Sequence, residues 1–137
     1  MNEDELVAYI QDQQLAVIST FGEVYPESAC IEFGNDGLTL VFDTNRGSRK
    51  FANLQRSSQV SLVIGWEDER TVQYEGNATL LQDGPELERL KAAYFKKAPA
   101  ARKWEGAEGN VYFKVEPGWI RFTDLNTGPW TISVFEF

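Results

Sequence analysis

Histidine is absent from the 137 residues of this chain. That removes the commonest metal ligand, the usual general base near neutral pH and the usual axial ligand of haem, so catalytic triads and His-ligated haem are excluded. Cysteine is reduced to Cys30 alone, so neither an internal disulfide nor a multi-cysteine metal site can form. This agrees with a reducing compartment, and Cys30 reads as a core thiol. Cations are scarce too: 13 Lys and Arg stand against 21 Asp and Glu, a formal charge of −8. Such a surface repels a phosphate backbone, so broad nucleic-acid binding is not expected and any anion must be met at a local basic patch. No apolar run approaches the roughly 20 residues of a membrane helix. The opening Met1-Asn2-Glu3-Asp4-Glu5 is acidic, unlike a secretory signal. A cytoplasmic protein without a membrane partner is expected.

What is present fits one domain spanning residues 1–137. Glu3 to Gln13 places Leu6, Val7 and Ile10 on one helical face, with Asn2 as a start signal. Leu15–Phe21 and Glu27–Phe33 read as strands around a Gly22-Glu23 turn, and Asn35-Asp36-Gly37 turns the chain into Leu38–Asp43, completing a three-stranded meander. Helical spacing returns over Ser48 to Arg56, then strands over Gln59–Trp66 and Thr71–Leu81 flank the polar hairpin Glu67 to Arg70. Gly76 suits a bulge at a barrel corner. Pro85 opens a helix carrying Leu87, Leu90, Ala93 and Tyr94 that fades near Pro99. Strands at Asn110–Glu116 and Trp119–Asp124 around a Pro117-Gly118 turn, then the apolar tail Trp130–Phe137, complete the chain. The pattern predicts a mainly β barrel or sandwich whose ends are closed by short helices. The tail fits a subunit contact and packing on its own barrel equally well.

In so acidic a chain, Arg46, Arg49 and Lys50 fall within five residues at the start of a predicted helix. Cations there oppose the helix dipole by a few tenths of a kcal/mol each, ~0.3 or more, unless an anion is present. A phosphate would resolve the conflict, taking hydrogen bonds from the Ser48 hydroxyl and first-turn N–H groups, a fork from Arg49 and a point charge from Lys50. Side chains that swing to solvent or pair with acids such as Asp43 satisfy the same residues. Among Trp66, Trp104, Trp119 and Trp130, packing explains any single ring, and Trp104 and Trp130, in loop-like contexts, are the candidates for edging a planar ligand.

The segment Val41-Phe42-Asp43-Thr44-Asn45-Arg46-Gly47-Ser48-Arg49-Lys50 resembles the F-Y-T-N-x-x-S-R-K segment of pyridoxamine phosphate oxidase and its relatives. Ser61–Trp66 is similar to that family's next strand, and Arg70-Thr71-Val72-Gln73-Tyr74-Glu75-Gly76 to its R-Q-V-R-x-E-G. The similarity runs in order over residues 15–81. It implies a six-stranded antiparallel split β-barrel of Greek-key type and a homodimer with two FMN sites at the subunit interface. It also implies a phosphate grip by Arg49 and Lys50. Further flavin contacts implied are Asp43, Thr44 and Asn45 after the third strand, Glu27, Ser28, Ala29 and Cys30 on the second, and Thr71 in place of a glutamine. Ser28 and Phe33 stand where the oxidase has an arginine and a lysine, and Ala98 and Arg102 replace the arginine and serine that hold the vitamin phosphate. The oxidase's C-terminal arginine and histidine segment has no counterpart.

These departures imply a short, divergent member rather than the oxidase itself. The leading expectation is an FMN-dependent oxidoreductase with an unidentified small substrate, its redox chemistry supplied by the flavin. A flavin-binding module without turnover, for storage, sensing or stress response, and a cofactor-less interaction dimer are the alternatives. The resemblance leaves deazaflavin or haem open in place of FMN, and the lack of histidine counts against haem.

Overall fold

The computed structural model describes all residues, Met1–Phe137. Helix α1, Glu3–Gln11, begins where the Asn2 side chain accepts a hydrogen bond from the Glu5 N–H. Three acids in its first turn suit the positive end of the dipole. It ends short of Gln13 because the Gln13 N–H closes a tighter turn on the Ile10 carbonyl.

Eight antiparallel strands follow: β1 (Leu15–Phe21), β2 (Pro26–Glu32), β3 (Gly34–Asp36), β4 (Thr39–Asn45), β5 (Gln59–Ile64), β6 (Arg70–Leu80), β7 (Asn110–Asp124) and β8 (Thr131–Glu136). The remaining helices are α2 (Arg49–Arg56), α3 (Pro85–Lys97) and a 3₁₀ turn at Pro99–Trp104. The strand order is β2-β1-β5-β6-β7-β4-β3, with β8 added on β7. The chain is mainly β with flanking helices, as expected, but has eight strands rather than six. The expected middle strand of the meander is bent at the fully buried Phe33, so that β2 pairs β1 at one end of the order and β3 pairs β4 at the other. One bent strand thus supplies both ends and curls the sheet into a barrel. The bend sets Gly34 so close to α3 that a Cβ there would overlap the Tyr94 Cα, which explains glycine at that position.

The Pro117-Gly118 turn is a correction. Glu75 pairs Trp119 while Gly76 pairs Pro117, leaving Gly118 as the extra residue of a bulge inside the single strand β7. Cys30 is a second correction. It lies opposite Val17 on the outward face of β2 and is exposed.

Inward residues including Ile18, Phe42, Leu62, Tyr74, Phe113 and Ile120 form the main core. Leu6 and Ile10 of α1 close one end of it, and Leu54 and Phe51 of α2 the other. Tyr74 is fully buried, its hydroxyl 2.7 Å from the Leu38 carbonyl and 3.0 Å from that of Val115. A second core lies outside β4 and β7, where Leu87, Leu90, Tyr94 and Phe95 of α3 pack on Val41 and Tyr112. The tail pairs β7 of its own barrel through β8 and leaves Ile132 and Val134 exposed. No helix is long and apolar enough to cross a membrane.

Candidate functional site

The turn between β4 and α2 is built by its own polar side chains. Asn45 accepts from the Gly47 N–H at 2.8 Å and donates to the Glu108 carbonyl at 3.0 Å. Ser48 caps α2 by accepting from the Phe51 N–H at 3.1 Å, and its hydroxyl lies 2.8 Å from that of Thr44. Thr44, Asn45 and Ser48 are therefore engaged in shaping the turn. The N–H groups of Arg49 and Lys50 point out of the first turn without a protein acceptor, as helix starts require. That turn carries no acid.

Arg49 and Lys50 border a cavity of about 210 Å³ together with Thr20, Glu27, Ser28 and Ala29. The geometry here differs from the sequence expectation in one respect: the acid that meets the cluster is Glu27, not Asp43. Glu27 Oε1 stands 3.3 Å from Arg49 Nε and accepts from Asn53 Nδ2 at 2.8 Å. Asn53 is only 4% exposed; it also donates to Thr20 Oγ1 at 2.9 Å and accepts from Arg56 at 2.8 Å. Arg49 remains 77% exposed at its side chain, and Lys50 makes no ion pair. Thr20 and Asn53 escaped the sequence reading. Each is a polar residue at a core-facing position, Thr20 continuing the inward alternation of Ala16 and Ile18, and that is the signal that identifies them.

A larger groove of about 500 Å³ shares Thr20 with this cavity and opens on the outer sheet face beside the β7 bulge. Ser19, Ser61, Glu75 and Trp119 border it. Ser19 and Ser28 link the two hollows through a hydroxyl pair at 2.8 Å.

The other expected residues lie elsewhere in the chain. Asp43 faces α3, accepting from the Tyr94 hydroxyl at 2.8 Å and from Asn110 at 3.2 Å. Burial, then the charge and hydrogen bond of Asp43, push the Tyr94 phenol above its ordinary range, so it stays a proton donor to Asp43. Cys30, on the outward face of β2, borders neither hollow. Thr71 pairs Thr123 on the sheet, Trp104 ends the 3₁₀ turn and Trp130 precedes β8; none borders either hollow, and Trp119 is the tryptophan that does. Arg46 rests over the Phe51 ring at 5.4 Å. Phe33 is fully buried, with Lys97 Nζ 3.6 Å from its ring centre, and Ala98 lies in the second core.

The sequence pattern of the pyridoxamine 5′-phosphate oxidase family matches residues 3–124. Among solved structures, a Listeria innocua protein provisionally named a pyridoxamine 5′-phosphate oxidase superposes with a TM-score of 0.73 at 25% identity, covering 91% of this chain and 98% of its own. General Stress Protein 26 of Bacillus anthracis aligns with a TM-score of 0.77 at 22% identity, over 98% of both chains. HutZ of Vibrio cholerae, described as a haem storage protein, aligns with a TM-score of 0.71 at 16% identity, over 84% of this chain and 89% of its own. No curated protein sequence matches. With the pattern matched over nearly its whole length and the barrel shared, the chain belongs to the pyridoxamine 5′-phosphate oxidase family.

Proposed function

We propose that the chain is an FMN-binding protein, acting as an FMN-dependent oxidoreductase on a small molecule and working as a homodimer. The observation that carries this reading is that Arg49 and Lys50, which open α2 in a first turn without acids, border one cavity of an otherwise acidic protein. Two cations and two N–H donors fit a phosphate. Bound FMN would supply hydride or electron transfer. The chain's own part is to grip the phosphate through Arg49 and Lys50, with Ser28 and Ala29 as the strand wall beside it.

The outer sheet face supports the dimer. Leu15, Val63, Ile132, Val134 and Trp130 are exposed there or at its margin. Arg121, in the row with Val63 and Val134, keeps an enclosed Nε without an acceptor. A second copy covering this face would bury the apolar side chains and offer Arg121 a partner. Haem suits the site less well, since neither Cys30, Met1 nor any tyrosine borders the cavity and histidine is absent.

The test is an absorption spectrum of the purified protein before and after titration with FMN, with sedimentation run on the same sample. Flavin uptake by a dimer, with reduction by NAD(P)H and reoxidation in air, is expected. Bound flavin that no nicotinamide reduces would make the protein a storage or sensing module. A colourless monomer that takes up no FMN would refute the reading.

A further inference from the structure

We propose that the groove beside the β7 bulge is a binding site for a small organic cation, an alkylated ammonium, held over the Trp119 ring beside Glu75 with Glu136 beyond it. The site is separate from the anion cavity and independent of the flavin reading.

Strand register builds it. Glu75 of β6 and Glu136 of β8 both pair Trp119 of β7, one from each side, so the three side chains leave the sheet on one face in a single cross-strand row. Both acids are exposed and neither makes an ion pair within the chain. The one cation near the ring is Arg121, its guanidinium carbon 5.9 Å from the ring centre, at the outer limit of a cation–π contact. Two carboxylates against one guanidinium leave the row net negative, in a protein already at −8. Coulomb attraction and the negative face of the indole both favour a cation there and disfavour an anion.

The shape of the groove selects the kind of cation. Glu75 and Glu136 stand two strand spacings apart, about 10 Å, with the indole between them. One metal ion, bound at ~2–2.6 Å, does not bridge that gap, whereas a molecule lying on the ring feels both charges. No cluster of acids, cysteine or histidine suited to a metal exists elsewhere in the chain. Phe21, Pro26 and Val60 border the groove together with Glu75 and Trp119, so its volume of about 500 Å³ offers apolar wall to carbon around the charge. An alkylated ammonium uses that wall and a compact hydrated one does not. Gly118 keeps the space open. Its backbone is not left-handed, and a Cβ there would meet nothing nearer than the Glu75 carbonyl at 3.8 Å, so neither conformation nor internal packing calls for glycine. The side chain missing from this bulge is room in the groove. The apolar rows assigned above to a second copy, with Val63, Val134 and Ile132, start in the Arg121 row and run away from the groove.

The experiment follows the indole N–H signals of the isotope-labelled protein by NMR while choline is added, with dimethylbutanol, its uncharged carbon isostere, and sodium chloride as controls. Trp119→Phe identifies the Trp119 signal. Choline is expected to move that signal with a millimolar Kd, the alcohol to bind roughly tenfold more weakly, and sodium chloride to have no effect. Glu75→Gln should weaken choline roughly fivefold, the factor for one carboxylate ~5 Å away in water-like surroundings, and leave the alcohol unchanged. Gly118→Val should fill the groove and remove the shift. Equal binding of choline and the alcohol, an unchanged choline Kd in Glu75→Gln, or a Trp119 signal that choline does not move would each overturn the proposal. The last result covers a groove already filled by a second copy. If Gly118→Val does not fold, the wild-type and Glu75→Gln comparisons decide the matter. FMN titrated into a parallel sample tests the anion cavity, so failure of either reading is told apart from failure of the other.

Discussion

Replacing Lys50 by glutamine is expected to move stability and ligand affinity in opposite directions. Lys50 lies in the first turn of α2, where no acid offsets the dipole, and it makes no ion pair. Removing its charge relieves a repulsion of about 0.3–1 kcal/mol at low ionic strength, so the free protein should become more stable by a few tenths of that unit, ~0.3 kcal/mol or slightly more. Against FMN the same change removes a charged hydrogen bond worth about 1.5–3 kcal/mol. Lys50 is only half-buried. Solvent screening then places the loss near the lower figure, about tenfold in Kd. Urea denaturation without ligand reads the first effect and a fluorescence titration the second. Adding salt to about 0.5 M should erase the stability gain. A variant that is less stable than wild type and binds FMN unchanged would make Lys50 a structural side chain and refute the assignment of the cluster to an anion.

Tyr74→Phe should cost about 1–2 kcal/mol in urea denaturation, because it strips the buried Leu38 and Val115 carbonyls of the hydroxyl they share. Glu69→Gly should raise the melting temperature, gaining about 1 kcal/mol, since Glu69 has φ +59° beside Asp68 at +57° in the β5–β6 hairpin. Burial pushes the Lys97 ammonium down to about 8, from 10.5, between the Ile10 carbonyl, Asn35 and the Phe33 ring. The unfolded chain then holds more protons than the folded one above that value, so stability should rise between pH 8 and 9.5 by about 1–2 kcal/mol. Lys97→Met should abolish the rise, and a wild-type stability that falls over this window faster than the variant's would contradict it.

The features legible in the sequence are those decided by neighbouring residues. Asn2 and Ser48 cap their helices because a side-chain oxygen three residues before a free N–H needs no distant partner. What depended on distant pairing was read less well. Pro117-Gly118 has the chemistry of a turn, yet β6 lies alongside through Gly76 and Glu75 and holds β7 straight through a bulge. Cys30 sits in an apolar stretch whose alternation is set by β1 across the ladder, and that register turns it outward. Asp43 is close to the basic cluster in sequence, but β4 turns it toward α3 while Thr44 turns to Ser48. The acid that reaches Arg49 comes from β2 and could be named only from the resemblance, without its role.

The long strand β7 has a consequence for how the chain is made. Its first part pairs β4, its later part pairs β8, and β6 runs along nearly all of it. Leu40 meets Val115 and Phe42 meets Phe113, so β4 has only the short β3 to pair with until those late residues leave the ribosome. Contacts so distant in sequence place the molecule among slowly folding topologies. During synthesis the β4 edge, with Leu40, Val41 and Phe42, waits uncovered, and this is the segment on which a chaperone would be needed. Once β7 arrives, its amides, bonded on both sides, should be the last in the protein to exchange with deuterium.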